Sequence, residues 1–469
     1  MSVKFPFESE VLAVDLGDKG HAIAKDAEGR VYMVEGLVPG DRARVLALKK
    51  RKGIIATRRL SLIEASEDRV EPFCKHFGVC GGCKWQHMDY AAQLRFKEKS
   101  VLDAMQRIGH IQIGSFQPIA GAQDIRFYRN KLEYTFSDKR WLEEAEIQSG
   151  LPVEEPRALG FHRPGAFDKI VDINHCSLQD DFGNTLRLAI GDFCRREKYP
   201  FFNLREQTGL MRNLMLRNSS LGEWMVCVIF AQHDEKRIQR LMHWLKEAFP
   251  SITSLQYAVT TTRNDSLYGL HFQVFAGRDH IVEQLGHVRY KISPQSFFQT
   301  NSRQAKVLYD ITRNFAGLSG TETVYDLYCG TGSIGLYLAD SARTVIGIEE
   351  VAAAIQDAEQ NKALNGVENA HFYSGDVRFL LDEALLQRHG KPDVIVTDPP
   401  RAGMHADVVK TLMQVKAPRM VYVSCNPATQ ARDLAMLDEV YRVDRMQPVD
   451  MFPHTAHVET VALLSRRDV

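Results

Sequence analysis

The sequence has no long apolar run. Its longest, Trp224–Ala231, falls far short of the roughly 18 residues needed to span a bilayer. No apolar stretch follows a basic start in MSVKFPFESE, so no secretion signal is visible and a cytoplasmic, membrane-free protein is expected. It also lacks net charge, with 59 basic and 59 acidic residues, which excludes a globally basic nucleic-acid coat. Cysteine is scarce, eight in 469 residues, too few and too unevenly placed for a disulfide framework. With 44% hydrophobic and 25% charged residues, the chain is neither disordered, collagen-like nor a coiled-coil rod. Its length suggests two to four domains.

What is present is local. Between Asp41 and Leu60 lie Arg42, Arg44, Lys49, Lys50, Arg51, Lys52, Arg58 and Arg59 against one acid. That is either a solvated hairpin face or a polyanion-binding surface. Strand patterns at Val11–Val14, Arg30–Val34, Asp41–Leu48 and Ile54–Ile63, punctuated by glycines, predict a small β-barrel over residues 1–62. A helix is expected over Tyr90–Ile108 and helical pieces near Phe182–Glu197 and Glu235–Ala248. The five glutamates of Glu143–Glu155 read as an exposed loop or hairpin insertion. From a helix at Ser302–Phe315 onward, apolar strands alternate with helices: Thr323–Tyr328, Val345–Glu349, His371–Ser374, Val394–Thr397, Met420–Ser424, Tyr441–Met446 and Val458–Ser465. That pattern predicts a parallel sheet covered on both faces.

The segment Asp326-Leu-Tyr-Cys-Gly330-Thr-Gly332-Ser-Ile-Gly335 follows an apolar strand and opens a helix, the setting of a nucleotide loop. Glu349 ends the next strand, where a carboxylate can accept both ribose hydroxyls of an adenosine. Asp326 just before the loop would repel a pyrophosphate and suits the cationic end of S-adenosylmethionine, which is favoured over a nicotinamide dinucleotide. Asp376, after the third strand, is placed for the adenine or ribose edge. Two further strands end in Thr397-Asp398-Pro-Pro-Arg401-Ala-Gly403 and Val423-Ser424-Cys425-Asn426-Pro427, at carboxyl ends of sheet strands. A lone cysteine is usually a small core hydrophobe. Cys425, at a strand-to-loop junction near the cofactor, reads instead as a nucleophile. The titratable cluster Asp450–Glu459 is either a surface loop or the source of a general base beside Cys425.

At these residues the chain resembles the uracil-5 RNA methyltransferases, most closely the branch acting on 23S ribosomal RNA, over nearly its whole length. Gly17, Gly20 and Val38-Pro39-Gly40 resemble the family's TRAM domain, an RNA-binding barrel of the oligonucleotide-binding type. Cys74, Cys80 and Cys83, with Gly81-Gly82 between, resemble its iron–sulfur motif, and Cys176 in His175-Cys-Ser-Leu matches the remote fourth ligand. Phe298-Gln299-Thr-Asn301, the Asp326–Gly335 loop, Asp398–Gly403, Ser424–Thr429 and His457-Val-Glu459 fall in family order. Thr300 stands where valine is more usual, and the Glu143–Glu155 insertion is a departure that bears on which RNA feature is recognised.

The resemblance implies roles. Gln299, Tyr328, Ser333, Glu349 and Asp376 would contact S-adenosylmethionine, Asp398 would lie between cofactor and target base, Cys425 would be the nucleophile and Glu459 the base. It implies a multidomain chain: an OB-like TRAM barrel (1–62), an α+β central iron–sulfur domain (63–290), whose helix near 90–108 would pack on the catalytic part, and an α/β Rossmann-like methyltransferase domain (291–469). Spacing alone would put tetrahedral zinc ahead for the cysteines; the resemblance reverses that in favour of a [4Fe-4S] cluster on Cys74, Cys80, Cys83 and Cys176. The implied partner of a monomeric enzyme is 23S rRNA, presenting a flipped or loop uridine. A transfer-RNA target ranks lower, because that branch is shorter and lacks the barrel and the cysteine motif. An iron–sulfur radical enzyme and an RNA-binding factor with an inactive methyltransferase fold are the rival readings. The first is disfavoured by the fourth cysteine, the second by Cys425, Asp398 and Glu459 occurring together.

Overall fold

The computed structural model describes residues 5–17, 20–262, 267 and 269–467; the first four residues of the N-terminal segment read above lie outside them. Among the described residues no helix is long and apolar enough to cross a membrane. The chain forms two compact units. The first comprises Met1–Ser100 with Phe452–His457, the second Val101–Met451 with Val458–Val469.

In the first unit, strands Phe7–Leu16, Ala22–Lys25, Val31–Val34, Arg42–Arg51 and Ile54–Glu64 close a barrel. Alternation of side chains points Val11, Ala13, Val45 and Ala47 inward and sends every basic residue of the Arg42–Arg59 run outward. Buried Asp41 pairs with Arg69 at 2.5 Å and accepts the Val38 and Ser66 N–H groups. These bonds hold its carboxyl below the usual carboxylate range despite burial. The loop carrying Cys74, Cys80 and Cys83 follows. The Phe452–His457 segment is tied in through Gln93, which accepts from the His454 N–H at 2.8 Å and reaches its Nδ1 at 3.1 Å.

In the second unit a seven-stranded sheet runs in the order Gln273–Gly277, Ile252–Val259, Trp224–Phe230, Met211–Asn218, Lys131–Ser137, Ala158–Arg163, Ala166–Asp172. The longest apolar run of the sequence, Trp224–Ala231, supplies its Trp224–Phe230 strand, buried at every position, as a strand covered on both faces must be. Helices Asp181–Arg196 and Glu235–Ala248 pack into its core. The Glu143–Glu155 insertion is exposed, with a six-residue helix, Glu144–Ser149, closed by a capping box.

The other sheet has eight strands in the order Ala370–Ser374, Thr344–Glu349, Thr323–Leu327, Val394–Thr397, Arg419–Ser424, Glu459–Arg466, Tyr441–Val449, Ile113–Phe116. The expectation of a parallel sheet holds for the five strands from Thr323 to Ser424. It fails for Glu459–Arg466, which is antiparallel to both neighbours. The reason is the connection: only a loop separates Tyr441–Val449 from Glu459, and a parallel return needs a crossover of a dozen or more residues, usually a helix. The helix from Tyr90 also departs from expectation. It is α-helical to Ala104 and continues as one π turn, Met105–Gly109. At Gly109 a side chain would meet the Ala431 carbonyl at 2.9 Å, so the close approach of these two segments requires glycine there.

Candidate active site

The strand Glu459–Arg466, expected from patterning but in a parallel sheet, is antiparallel, and its direction is what assembles the site. In a parallel sheet all strands finish at one edge; an antiparallel neighbour starts there. Ser424 pairs with Thr460, so Cys425, the first residue past the end of one strand, and Glu459, the first residue of the other, share one edge, near enough for the Glu459 carboxylate to push the Cys425 thiol up. Thr460 Oγ1 donates to Gln430 Oε1 at 2.5 Å, and Gln430 Nε2 donates to the Tyr422 carbonyl at 3.0 Å. All three residues are buried, so the register cannot slip without leaving unsatisfied polar groups.

Beyond Cys425 the chain turns into helix Pro427–Leu437. Asn426 caps it, accepting the Ala428 N–H, and proline occupies the first turn, where its missing N–H costs nothing. Asn426 Nδ2 and Thr429 Oγ1 both donate to the Arg401 carbonyl, at 3.1 and 3.2 Å. This ties the Cys425 loop to the Asp398–Gly403 loop and brings the Arg401 side chain to hydrogen-bonding reach of the thiol. Asp398 follows the adjacent strand Val394–Thr397 and donates its N–H to the Leu327 carbonyl at 3.3 Å.

These groups perturb one another. Glu459 is 6% exposed. Burial and the Asp398 carboxylate push its carboxyl up to about 8, against the pull of Arg401. Burial alone pushes Asp398 up to about 7. The Cys425 thiol is pushed up to about 11, first by burial and then by Glu459 and Asp398, with Arg401 opposing. A thiol, two carboxyls pushed up toward neutrality and a guanidinium thus share one strand edge, a constellation able to support addition and proton abstraction.

The residues proposed for the cofactor lie along the same edge. Tyr328 turns the chain out of the strand with φ of 62°. Gly330 follows with φ of 54°, and a Cβ there would meet nothing within 4 Å. Glu349 accepts the Gly330 N–H on one oxygen and the Val351 N–H on the other, which orients its carboxylate over the loop. Ser333 is gripped by two buried tyrosines: Tyr309 donates to its Oγ at 3.0 Å and Tyr290 to its carbonyl at 2.7 Å. Asp326 accepts the Gly335 N–H on Oδ2 at 2.8 Å. Its other oxygen is buried and has no hydrogen-bond partner, and burial pushes the carboxyl up to about 8. Asp376 follows the Ala370–Ser374 strand and caps the next short helix, with its carboxylate on Arg378 at 2.5 Å. Gln299 lies before helix Ser302–Ala316, its carbonyl accepting from Asn130 at 3.0 Å.

Sequence reading puts Asp398 and Cys425 at carboxyl ends of sheet strands and expects a base beside Cys425 from the Asp450–Glu459 cluster; it gives no role to Arg401, Asn130 or the two tyrosines. Arg401 sits inside the Asp398–Gly403 motif, a signal that was available. Asn130 and the tyrosines act across long sequence separations that no local pattern reports. Phe297 was also passed over; its ring is 74% exposed beside a buried Phe298.

The other cysteines divide. Cys194 and Cys227 are fully buried and their thiols are pushed well up by burial, as core thiols should be. Cys329 is buried under the glycine loop, where a side chain on Gly347 would meet its Sγ at 2.9 Å. Cys74, Cys80, Cys83 and Cys176 are half-buried, and Cys80 Sγ accepts the Gly82 N–H at 3.4 Å. Among the described residues no three histidine, cysteine or acidic side chains converge in a geometry that would hold a metal ion.

Comparison with known proteins bears directly on this arrangement. A family model described as tRNA (Uracil-5-)-methyltransferase matches residues 271–467. The chain is 48% identical over 452 residues to an uncharacterized RNA methyltransferase of Bacteroides thetaiotaomicron, covering 96% of this chain and 99% of the relative. An uncharacterized RNA methyltransferase of Chlorobaculum tepidum is 41% identical over 465 residues, covering 98% and 96%. Among solved structures, the Pyrococcus abyssi tRNA (uracil-54, C5)-methyltransferase in complex with S-adenosyl-L-homocysteine superposes with a TM-score of 0.75 at 29% identity, covering 97% of this chain and all of that one.

Proposed function

Because the chain belongs to the RNA uracil-5 methyltransferase family, with S-adenosylmethionine as methyl donor, we propose that it methylates carbon 5 of a uridine in 23S ribosomal RNA through a covalent Cys425 adduct. The observation that supports the mechanism is the Ser424–Thr460 register, next to which Cys425 and Glu459 meet at one sheet edge. Carbon 5 of uracil is a weak nucleophile. Addition of the Cys425 thiolate at carbon 6 makes an enolate with charge at carbon 5, which takes the methyl group; Glu459 then removes the carbon-5 proton and the thiolate leaves by elimination. Arg401 favours the thiolate before attack. Asp398, pushed up to about 7, positions the uracil edge in either state, accepting from the ring N–H when ionised and donating to a ring carbonyl when protonated. The exposed Phe297 ring offers a stacking face for a base drawn out of its helix.

The residues suit the cofactor. S-adenosylmethionine supplies an electrophilic methyl group on a sulfonium. Glu349 is oriented to accept ribose hydroxyls, and the partnerless Asp326 oxygen favours a cationic amino-acid end nearby. Gln299, Tyr328, Ser333 and Asp376 complete the set, Asp376 exchanging part of its Arg378 pairing for the adenine edge. A monomeric enzyme belongs to the same proposal.

The pH dependence follows from the coupled pair. One proton must leave the Cys425–Glu459 pair before the thiolate attacks, and Glu459 must be ionised to accept the carbon-5 proton. A group pushed up to about 8 is protonated below that value. Methylation at saturating cofactor should therefore climb about ten-fold per pH unit toward a break near 8 and show no fall between pH 6 and 8. Initial rates across that range check it; an acidic optimum would contradict the assignment.

For RNA choice, the exposed basic hairpin supports a structured RNA. The Pyrococcus abyssi tRNA enzyme, matched over its full length, favours a second reading in which tRNA is the substrate. It also removes chain length and the N-terminal barrel as arguments against tRNA. Mapping 5-methyluridine in both RNAs from a strain lacking the gene decides: loss at a 23S uridine supports the first reading, loss from tRNA alone the second.

The division into a TRAM-like RNA-binding barrel (1–62), a central iron–sulfur region (63–290) and a cytoplasmic catalytic domain (291–469) belongs to the same proposal. Four thiolates suit a [4Fe-4S] cluster, and the N–H donated to Cys80 is the bond a thiolate ligand accepts. The thiols do not converge as they stand; methyl transfer from a sulfonium needs no electron, so the part of a cluster would be structural. Anaerobic purification should give a brown protein with about four irons per chain. Serine at Cys74, Cys80, Cys83 or Cys176 should abolish the colour, and serine at Cys194 or Cys227 should not. Stoichiometric zinc without iron would overturn the cluster.

A further inference from the structure

Asn130 precedes the Lys131–Ser137 strand of the seven-stranded sheet, yet its hydrogen bonds go to the cofactor segment. It is 6% exposed. Its side-chain amide donates to the Gln299 carbonyl at 3.0 Å and to Ser302 Oγ at 2.8 Å. Its backbone N–H donates to the Thr300 carbonyl at 2.8 Å. One residue thus fixes two consecutive carbonyls and the first residue of the helix beyond them. The side-chain orientation is not arbitrary: a carbonyl only accepts, so the NH2 must face Gln299.

Both ends of this tie are anchored. Ser302 passes its own hydrogen to Glu283 Oε2 at 2.5 Å, and fully buried Glu283 also accepts the Ser220 N–H at 2.9 Å. The backbone just before Asn130 is set by bonds from Phe127 N–H to the Ser177 carbonyl and from Arg129 N–H to the Leu178 carbonyl, at 2.9 and 2.8 Å. The Asn130 carbonyl accepts the Asn218 N–H at 2.9 Å. On the far side of Gln299, Asn301 caps the helix and donates to the Met451 carbonyl at 3.0 Å. The two residues following Gln299 are therefore clamped from both sides. Gln299 itself is half-buried and held at its carbonyl by Asn130.

We propose that Asn130 is a positioning residue for the methyl donor: it holds the Gln299 backbone so that the side chain meets S-adenosylmethionine in register. This rests on the reading that Gln299 contacts the cofactor. Nothing local marks Asn130, which lies 169 positions from Gln299.

The test is calorimetric titration of the full chain with S-adenosylmethionine, together with rates of tritiated methyl transfer to ribosomal RNA from a strain lacking the gene. Asn130→Ala should weaken binding about ten-fold. The cofactor KM should rise by a similar factor, with kcat at saturation within about two-fold of wild type. Adding Asn130→Ala to Gln299→Ala should cost nothing further, because the two changes act through one contact. Asn130→Asp keeps the shape without the hydrogens and should match alanine, which separates hydrogen bonding from packing. If Asn130→Ala fails to fold, Ser302→Ala loosens the tie from its other end and should weaken binding about three-fold. Wild-type affinity in Asn130→Ala overturns the proposal, as do additive losses in the double variant or a fall in kcat at unchanged KM. Wild-type affinity in Gln299→Ala, with Asn130 intact, overturns the underlying cofactor contact and the proposal with it.

Discussion

Replacing Cys425 by alanine should abolish methyl transfer, with a loss on the order of 10⁴-fold or more, while S-adenosylmethionine binding stays near wild type. Among the described thiols at this edge, Cys329 is buried and Cys425 is half-buried, so Cys425 is the group placed to add to carbon 6 of uracil. Without it carbon 5 never gains the charge needed to attack a sulfonium. The cofactor set has its own supports, with Glu349 oriented by Gly330 and Val351 and Ser333 by Tyr290 and Tyr309, and none of these bonds passes through Cys425. Folding should also survive. The side chain is half-buried at a strand end, and the register beneath it is held by Gln430 and Thr460. The positive counterpart uses RNA containing 5-fluorouridine. Fluorine at carbon 5 leaves no proton to remove, so wild type should be trapped as a stable adduct at Cys425, detected by mass spectrometry. Trapping in the alanine variant, or at another residue of wild type, would exclude the mechanism.

How much of this was legible beforehand depended on distance along the chain. Cys425 and Asp398 announce themselves because each follows an apolar strand and precedes a turn, an arrangement readable within ten residues. The pairing of Glu459 with Cys425 was expected from family resemblance, but the physical reason lies in a hairpin. Apolar patterning cannot tell an antiparallel return from a parallel one when both faces of the sheet are covered. The same limit hid the Ala22–Lys25 strand, whose small residues alternate within four positions between glycine-rich turns. The switch to a π turn at Met105 depends on Gly109 meeting the Ala431 backbone, and a helical period carries no trace of that. Arg401, Tyr309 and Asn130 are polar or aromatic residues whose partners are fixed only once the sheets exist.

Glu459→Gln should lower turnover by about 10²- to 10⁴-fold, the usual worth of a positioned base, and should do so by stalling after methyl transfer. The substitution keeps the volume and removes the proton acceptor. The carboxyl it replaces is pushed up to about 8 and is largely protonated at neutral pH, so a neutral amide is close to isosteric with the resting state and the fold should tolerate it. Its effect on Cys425 runs the other way. Ionised Glu459 is one of the groups that push the thiol up, so above about pH 8, where that charge is present in wild type, removing it favours the thiolate and speeds formation of the adduct, and at neutral pH formation of the adduct is not slowed. Addition and methyl transfer then outrun proton removal, and the methylated covalent complex should accumulate as a band of enzyme joined to RNA that survives denaturation, seen without any fluorinated substrate. The same variant should lose the break near pH 8, because its titrating carboxyl is gone. Wild-type turnover in Glu459→Gln would assign the base to another group, with Asp398 next to be substituted. Loss of turnover with no accumulated complex would place Glu459 before methyl transfer, at activation of the thiol.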